Sequence, residues 1–351
     1  MIAGRSYRIG IVGASSLAGK ELTDALAESP LAACDFVLLD DEDAGQMTAA
    51  GDEVTFIQKI DADSFVGMDF VFFAGDAAVT QRYWKTARLA GASIVDMTYA
   101  LELEPGVVIR GPWVGVPADS GANPRTQEPG LTTPAVVAAH PAAVMLLLVA
   151  SRLHAKVPVR AMSATVFEPA SEHGRPAMDE LHQQTVSLLS FQGVPRDQYD
   201  AQVAFNLLPS LGDAAKVKLA ATADRIAQQY AELSAGRAPE LALQLVQAPV
   251  FHGYVASVLV ELEGTATAEQ LELAVYGEHV DVVGPESDPP SNISAAGQPE
   301  ILVRIRSASA GDGPTNRLWL WLAVDNLKLA AMNAIACANE LGRLRPQGKV
   351  Q

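Results

Sequence analysis

The stretch Arg8-Ile9-Gly10-Ile11-Val12-Gly13-Ala14-Ser15-Ser16-Leu17-Ala18-Gly19 joins a short apolar run to a turn that contains two glycines. The apolar run is typical of a buried parallel strand, and residues 20–29 have the pattern of an amphipathic helix. A strand, a glycine-containing turn and a helix in this order point backbone N–H groups at a pyrophosphate. We therefore predict a dinucleotide-binding turn that uses Gly13, Ser15, Ser16, Leu17, Ala18 and Gly19. An ordinary strand-to-helix turn is the alternative, because Ser16 stands where the motif has its middle glycine.

The second predicted strand, residues 35–39, ends in the acidic cluster Asp40-Asp41-Glu42-Asp43. Asp40 lies 21 residues after Gly19, at the position where an acidic side chain accepts hydrogen bonds from a ribose 2′-OH. A 2′-phosphate would be repelled by the cluster, so the sequence favours NAD over NADP. A solvated acidic loop is the alternative interpretation of these four residues.

The alternation of strands and helices predicts the fold class. Strands at 70–74 and 93–96 flank a helix at 78–90, which is the spacing of an α/β domain with a parallel sheet covered on both faces. The pattern changes near residue 134, where a long helix is followed by strands of period-two alternation and further helices, as in an α+β domain. The second part is predicted to contain strands at 159–166, 243–248, 256–262 and 301–305, and helices at 145–154, 177–189, 217–233 and 327–344.

Composition excludes several classes of protein. The 351 residues carry a formal net charge of −16, which argues against a nucleic-acid-binding surface and against an anionic membrane surface. Two cysteines, Cys34 and Cys337, are too few for a disulfide framework. The chain begins directly with a strand pattern, and its longest apolar run, residues 136–150, is too short to cross a bilayer. We therefore expect a cytoplasmic protein.

Several motifs together resemble the aspartate-semialdehyde dehydrogenase family. They occur in the family's order along nearly the whole chain: the turn at 13–19, Phe73-Ala74-Gly75, Ile94-Val95-Asp96, residues 177–181, residues 204–209, Ala248-Pro249-Val250-Phe251 and Val324-Asp325-Asn326-Leu327. The resemblance implies a Rossmann-like NAD(P)-binding domain at 1–133, completed by a C-terminal helix at 325–351. It further implies an α+β dimerisation domain at 134–324, a homodimer, and cofactor contacts that also include Ala74, Gly75 and Asn326.

The sequence departs from the family pattern at the residues that carry the chemistry. The family converts an acyl phosphate to a semialdehyde with a cysteine nucleophile, a histidine base and anion-binding arginines. Here Ala142 stands at the cysteine position, after Pro141, and Tyr254 stands at the histidine position. Glu102 and Gln247 replace two arginines, and Glu42 lies where a basic residue often meets the NADP 2′-phosphate. The resemblance therefore implies that phosphorylating dehydrogenation is lost, and the chain is similar to the cysteine-less, Usg-like subgroup.

Three functions remain open from the sequence. The first is a non-catalytic binding or regulatory protein with a possible protein partner, whose dinucleotide site is kept, weakened or lost. The second is an NAD-dependent oxidoreductase that acts on an aldehyde or semialdehyde by altered chemistry, and the third is an active dehydrogenase with an unrecognised nucleophile. For the second, the resemblance brings five acid–base candidates to the cleft: His140, Glu168, Glu172, His173 and His252. Their spacing lacks a metal-binding pattern, so we predict no metal.

Overall fold

A computed structural model describes residues 7–31, 35–41, 44–50, 53–115, 123–309 and 313–345. The chain divides into two compact units. Unit 1 comprises Met1–Ala139 and Ala330–Gln351, and unit 2 comprises His140–Leu329. Cys34 and Glu42, which entered the sequence predictions, lie outside the described residues.

Unit 1 is built around a six-stranded sheet in the order β2-β1-β5-β6-β8-β7, and every strand pair in it is parallel. This is the doubly wound arrangement that the strand–helix alternation predicted. Its elements are β1 (Arg8–Val12), α1 (Leu17–Ala27), β2 (Asp35–Leu39), β3 (Met47–Ala50), β4 (Glu53–Phe56), β5 (Phe70–Phe73), α2 (Ala77–Leu89), β6 (Ser93–Asp96), β7 (Val108–Arg110) and β8 (Val136–Ala138). Strands β3 and β4 pair with each other as a separate antiparallel hairpin.

The central strands of unit 1 are apolar because both faces of the sheet are covered. All four residues of β5, Phe70–Phe73, are buried, and the last four residues of β1 are buried as well. A strand buried on both faces reads as a continuous apolar run and not as an alternation. The core around them includes Leu22 and Leu26 of α1 and Ile335 of the C-terminal helix.

Unit 2 contains a mixed six-stranded sheet in the order β10-β9-β11-β14-β13-β12. The outer pairs β10–β9 and β12–β13 are parallel, and the three pairs between them are antiparallel. Its elements are α3 (Pro141–Lys156), β9 (Val159–Glu168), a 3-10 helix (Ala170–His173), α4 (Gly174–Leu189), α5 (Leu219–Ser234), β10 (Leu241–Gln247), β11 (Tyr254–Ala266), α6 (Ala268–Val275), β12 (Val280–Val282), α7 (Asn292–Ala295), β13 (Ile301–Ser307), β14 (Thr315–Val324) and the start of α8 (Asn326–Leu344).

The two faces of the unit 2 sheet differ in burial. Along β11, Ala256, Val258 and Val260 are buried, whereas Ser257 and Leu259 between them are half-buried. Side chains alternate between the faces of a strand, so one face packs in the core of the unit and the other stays partly open. The predicted fold class, an α/β dinucleotide-binding domain and an α+β domain, is confirmed.

The structure adds strands that the sequence analysis did not identify. Strand β14 lies at the centre of the unit 2 sheet between β11 and β13, although its residues were not assigned to any element. The hairpin β3–β4 and the short strands β7, β8 and β12 were also missed. Within the described ranges, no helix has the length and apolar character needed to cross a membrane.

The C-terminal part of α8 is anchored to β7 inside unit 1. Arg110 of β7 is 1% exposed, and its guanidinium donates to both carboxylate oxygens of Glu340 at 2.9 and 2.6 Å. Asn333 donates from Nδ2 to the Arg110 carbonyl at 3.2 Å, and the Cys337 thiol lies 3.7 Å from the same carbonyl. Burial raises the pKa of this thiol well above its usual range, so Cys337 is an inert core residue.

Candidate functional site

The predicted dinucleotide-binding turn lies in unit 1 between β1 and α1. Gly13 has φ of 82°, a conformation that favours glycine, and its N–H donates to the Leu39 carbonyl of β2 at 2.9 Å. Gly19 packs so closely on the Gly13 carbonyl that a Cβ there would clash with it. Both glycines are therefore required by the close path of the backbone.

Ser16 caps α1 with its side chain. The hydroxyl accepts from the Gly19 N–H at 2.9 Å and donates to the Ala74 carbonyl at 2.8 Å. The N–H groups of Leu17 and Ala18 belong to the first turn of the helix, where donors have no acceptor within the helix. The turn therefore keeps N–H donors that suit a pyrophosphate, although the Gly19 N–H is already bonded to the Ser16 hydroxyl.

Asp40, at the end of β2, is held against this turn. Its Oδ2 accepts from the Ser15 hydroxyl at 2.7 Å and from the Ser15 N–H at 3.3 Å. The carboxylate thus lies beside the turn, at the end of β2 where the acidic residue of a dinucleotide-binding unit contacts the ribose. The residues present fit a dinucleotide.

The remaining candidates of unit 1 follow β5 and β6. Ala74 is buried, and Gly75 packs on Gly13 so closely that a Cβ on Gly75 would lie 2.7 Å from the Gly13 Cα. Glu102 is half-buried in the turn region after β6, and its carbonyl accepts from Nη2 of Arg125 at 3.0 Å.

In unit 2, the start of α3 is closed by the ring of His140. Pro141 occupies the first helical position, where its missing N–H has no cost, and the ring nitrogen Nδ1 of His140 accepts from the Ala142 N–H at 3.2 Å. Nδ1 thus serves the helix start, and Nε2 on the other side of the ring is left for a different neighbour. Ala142 is fully buried, and Ala143 beside it is an alanine as well.

His140 links this helix start to Glu172. Nε2 of His140 lies 3.1 Å from Oε1 of Glu172, and Nδ2 of Asn326 donates to Oε2 of the same carboxylate at 3.4 Å. Burial alone would raise the pKa of Glu172, but the neighbouring His140, His173 and Asn326 hold it at about 2. The carboxylate is therefore charged at neutral pH, directly beside the N-terminus of α3.

A second pair, Glu168 and His173, lies next to the first. Oε2 of Glu168, at the end of β9, is 2.9 Å from Nε2 of His173. Burial alone would lower the pKa of His173, but the charges of Glu168 and Glu172 and the hydrogen bond to Glu168 raise it above its ordinary value. Both acidic neighbours thus favour the protonated form of His173.

Asn326 connects these residues to the turn before β11. Its Oδ1 accepts from the Ser171 hydroxyl at 3.1 Å and from the Gly253 N–H at 3.0 Å. Together with the bond to Glu172, these contacts occupy both ends of an amide that is 1% exposed. The residue that the resemblance implied as a cofactor contact thus organises the polar cluster of unit 2.

The other predicted residues of unit 2 have distinct environments. Gln247 is fully buried at the end of β10, and Tyr254 is fully buried at the start of β11, with its ring centroid 5.9 Å from that of His140. His252 is half-exposed in the turn between the two strands. His252 precedes β11, so the alternation of side chains along a strand does not apply to it.

The sequence analysis missed two members of the cluster. Gln229 of α5 accepts from the His140 N–H at 2.7 Å through Oε1, and Ser171 binds Asn326. Neither lies in a recognisable motif, although Ser171 directly precedes Glu172 and His173 in the sequence. Among the described residues, no group of three or more His, Cys, Asp or Glu side chains is arranged to hold a metal ion.

Comparison with protein-family models matches both units. The model "Semialdehyde dehydrogenase, NAD binding domain" matches residues 8–122, and the model "Semialdehyde dehydrogenase, dimerisation domain" matches residues 151–329. A curated relative, the USG-1 protein homolog of Pseudomonas aeruginosa, is 31% identical over 339 residues, which cover 93% of this chain and 95% of the relative. The aspartate-semialdehyde dehydrogenase of Rickettsia bellii is 24% identical over 96% of this chain and 98% of its own.

Solved structures agree with these relatives. A probable aspartate-semialdehyde dehydrogenase from Pseudomonas aeruginosa superposes with a TM-score of 0.80 at 27% identity, covering 97% of this chain and 99% of its own. Aspartate semialdehyde dehydrogenase II from Vibrio cholerae has a TM-score of 0.81 at 20% identity with the same coverage, a likeness that concerns the fold alone.

Proposed function

The chain belongs to the semialdehyde dehydrogenase family, with Usg-like relatives, and from that membership we propose that it has lost phosphorylating dehydrogenation and acts as a binding or regulatory protein. The observation that carries this proposal is the start of α3. An alanine stands there in place of a thiol, and the protein's own His140 and Glu172 occupy the surroundings of the helix N-terminus.

The absence of a nucleophile does not depend on the alignment. The only cysteines of the sequence are Cys34 and Cys337, so residues 140–329 contain none. Shifting the alignment by one residue replaces Ala142 with Ala143 and still gives no thiol. An alanine methyl group cannot form a thioester, and covalent catalysis of the family type requires one.

The same helix start is unsuited to phosphate. A helix N-terminus binds an anion through its free N–H groups, but Pro141 has no N–H and the Ala142 N–H donates to His140. The Glu172 carboxylate adds a negative charge beside it, which repels an acyl phosphate. Gln247, at the position of a family arginine, supplies no positive charge to oppose this repulsion.

The dinucleotide site is proposed to be retained in unit 1, with a preference for NAD. Gly13, Ser16 and Gly19 shape the turn, the Leu17 and Ala18 N–H groups suit the pyrophosphate, and Asp40 suits a ribose 2′-OH. NAD, where bound, supplies a nicotinamide that accepts or donates hydride. In calorimetric titration we expect NAD to bind more tightly than NADP, and Asp40→Asn to reduce the difference. Tighter binding of NADP would contradict this assignment.

We further propose a homodimer formed through the second domain, 134–324, with the first domain at 1–133 and 325–351. The match to a dimerisation-domain model supports this, as does the partly open face of the unit 2 sheet. A regulatory role would use this dimer to bind a further protein.

The deciding experiment is an assay with highly purified protein. NAD or NADP is mixed with aspartate semialdehyde and phosphate, and reduced cofactor is followed by absorbance while intact-protein mass spectrometry searches for an acyl adduct. We expect neither signal. Turnover that copurifies with the protein, and that persists in a Cys34→Ser/Cys337→Ser variant, would reveal different chemistry; turnover abolished in that variant would reveal an unrecognised thiol nucleophile. Either result would overturn the proposal.

An alternative function is supported by one observation, the contact of His173 Nε2 with Glu168 Oε2 at 2.9 Å. Such a pair can transfer protons in an oxidoreductase that acts on an aldehyde without a thioester. Screening of aldehydes with NAD would then find an activity that His173→Ala abolishes. His252→Ala is the matched variant, because His252 lies in the half-exposed turn outside this pair. Its activity should be unchanged if the pair of His173 and Glu168 carries the chemistry.

A further inference from the structure

Two buried acceptor oxygens at neighbouring strand ends receive no hydrogen bond from the described part of the chain. They are Oε1 of Glu168 and Oε1 of Gln247. Glu168 and Gln247 end β9 and β10 and face each other in the parallel register, so their side chains lie on the same side of the sheet. Both residues have no exposed surface. A buried acceptor that receives no donor costs about 1–3 kcal/mol, so a pair of them calls for a donor.

The orientation of the Gln247 amide is set by its surroundings. Nε2 donates to the carbonyls of Glu168 and Ala248, at 3.0 and 3.2 Å. Turning the amide over would place its oxygen against these two carbonyl oxygens, which repel it. Oε1 of Gln247 is therefore an acceptor that points away from both strands' carbonyls.

The cluster around these oxygens contains two acidic side chains. Glu168 lies 2.9 Å from His173, and Glu172 lies 3.1 Å from His140. Among the described residues, neither carboxylate pairs with a lysine or arginine. A buried acidic side chain that has an oxygen without a donor, and no lysine or arginine beside it, favours a donor that carries positive charge.

We propose that Glu168 and Gln247 bind a primary ammonium group, carried by a small amine. Its positive charge is favoured beside the acidic side chain of Glu168, and its N–H groups can donate to both acceptor oxygens. The cluster meets solvent at His173 and Glu172, whose side chains are 17% and 12% exposed, so a small amine can approach there. The inference rests on the proposed function in one respect, that this site no longer holds an acyl phosphate.

The test is calorimetric titration of the full chain with methylammonium chloride at neutral pH and constant ionic strength. Tetramethylammonium chloride serves as the matched ligand, because it has the same charge and no N–H donor. We expect saturable binding of methylammonium, no saturable binding of tetramethylammonium, and a rise in the melting temperature of the protein with methylammonium only. Equal behaviour of the two ions, or no saturable binding of methylammonium, overturns the proposal.

Variants locate the binding. Glu168→Gln keeps the size of the side chain and removes its charge, so methylammonium should bind at least tenfold more weakly. Glu278→Gln, at a side chain that is 84% exposed, should leave binding unchanged. Unchanged binding in Glu168→Gln contradicts the site. If that variant does not fold, a crystal structure of the unaltered protein with methylammonium decides: a methylammonium within hydrogen-bond distance of both oxygens supports the site, and a water molecule there overturns it.

The outcome is separable from that of the proposed function. Amine binding is measured without dinucleotide, aldehyde or phosphate, so it does not depend on turnover. Dehydrogenase activity together with amine binding overturns only the proposed loss of activity. Absence of both overturns only the ammonium site.

Discussion

At the scale of single residues, His140 performs two tasks with one ring. Nδ1 caps α3 by accepting from Ala142, and Nε2 faces Glu172. The two ring nitrogens thus serve different partners, one on the backbone of α3 and one on an acidic side chain. In other proteins the N-terminus of a helix can bind an anion through its N–H groups. Here the Ala142 N–H donates to a side chain of the same protein.

Replacing His140 tests this double role. In His140→Ala we expect the free energy of unfolding of unit 2 to fall by about 2–4 kcal/mol, from the lost cap and the weakened bonding of the buried Glu172. His140→Asn provides a cap but cannot reach Glu172, so it should recover about 1 kcal/mol. Urea unfolding followed by circular dichroism measures both variants. Equal destabilisation by the two substitutions would refute the capping role.

Glu172 predicts a dependence of stability on acid pH. The pKa of this carboxyl is held at about 2 in the folded protein, below its ordinary value of 4.5. A depressed pKa contributes stability that is complete above pH 4.5 and is lost as pH falls towards 2. The advantage of the unaltered protein over Glu172→Gln, on the order of 3 kcal/mol at pH 6, should therefore shrink between pH 5 and pH 3. Urea unfolding of both proteins at several pH values measures it.

The pair formed by His173 acts in the opposite direction. The pKa of His173 is raised above its ordinary value of 6.5, so its stabilisation is complete below pH 6.5 and is lost as pH rises through the raised value. The contribution of Glu172 to stability is thus lost on the acid side of neutrality, and that of His173 is lost as pH rises. A difference between the unaltered protein and Glu172→Gln that does not change on acidification would contradict the assignment to Glu172.

At the scale of elements, local patterns in the sequence were reliable where contacts are local. The turn between β1 and α1 and the acidic end of β2 follow from the residues of one strand–helix–strand unit, and Asp40 does contact this turn. The contact between Ser171 and Asn326 joins residues 155 positions apart, and no local periodicity predicts which strands become neighbours. For the same reason β14 was missed, since its alternation of Trp and Leu gains meaning only between β11 and β13.

The anchoring of α8 to β7 gives a prediction at this scale. Glu340→Ala leaves the buried guanidinium of Arg110 without its carboxylate, which we expect to destabilise unit 1 by about 3–5 kcal/mol. In a Cys34→Ser background, the labelling rate of the Cys337 thiol reports release of the helix and should rise.

Two controls accompany the Glu340 experiment. The double variant Arg110→Met/Glu340→Leu removes both charges and should restore much of the protection of Cys337. Glu261→Ala breaks an exposed ion pair with Arg160 and should leave the labelling unchanged. Labelling of Cys337 that is equally slow in Glu340→Ala would show that the ion pair does not hold α8 in place.

At the scale of the whole molecule, the open face of the unit 2 sheet predicts self-association. Leu259 is half-buried on this face, between residues whose side chains point to the core. Leu259→Arg places a charge in the face, so we expect sedimentation equilibrium to change from the mass of a dimer to that of a single chain. Leu273→Arg, at a side chain of α6 that is 74% exposed, is the matched control and should remain dimeric. A dimer that tolerates Leu259→Arg would place the interface elsewhere.

The ion pair between Arg110 and Glu340 also orders events during protein synthesis. Its two residues are 230 positions apart, and all of unit 2 is translated between them. While the ribosome makes unit 2, Arg110 in the nascent first sheet lacks the carboxylate of Glu340. We therefore expect unit 1 to complete its folding only after residue 340 leaves the exit tunnel, although its strands are made first. Chaperone binding to the nascent chain should persist until that point.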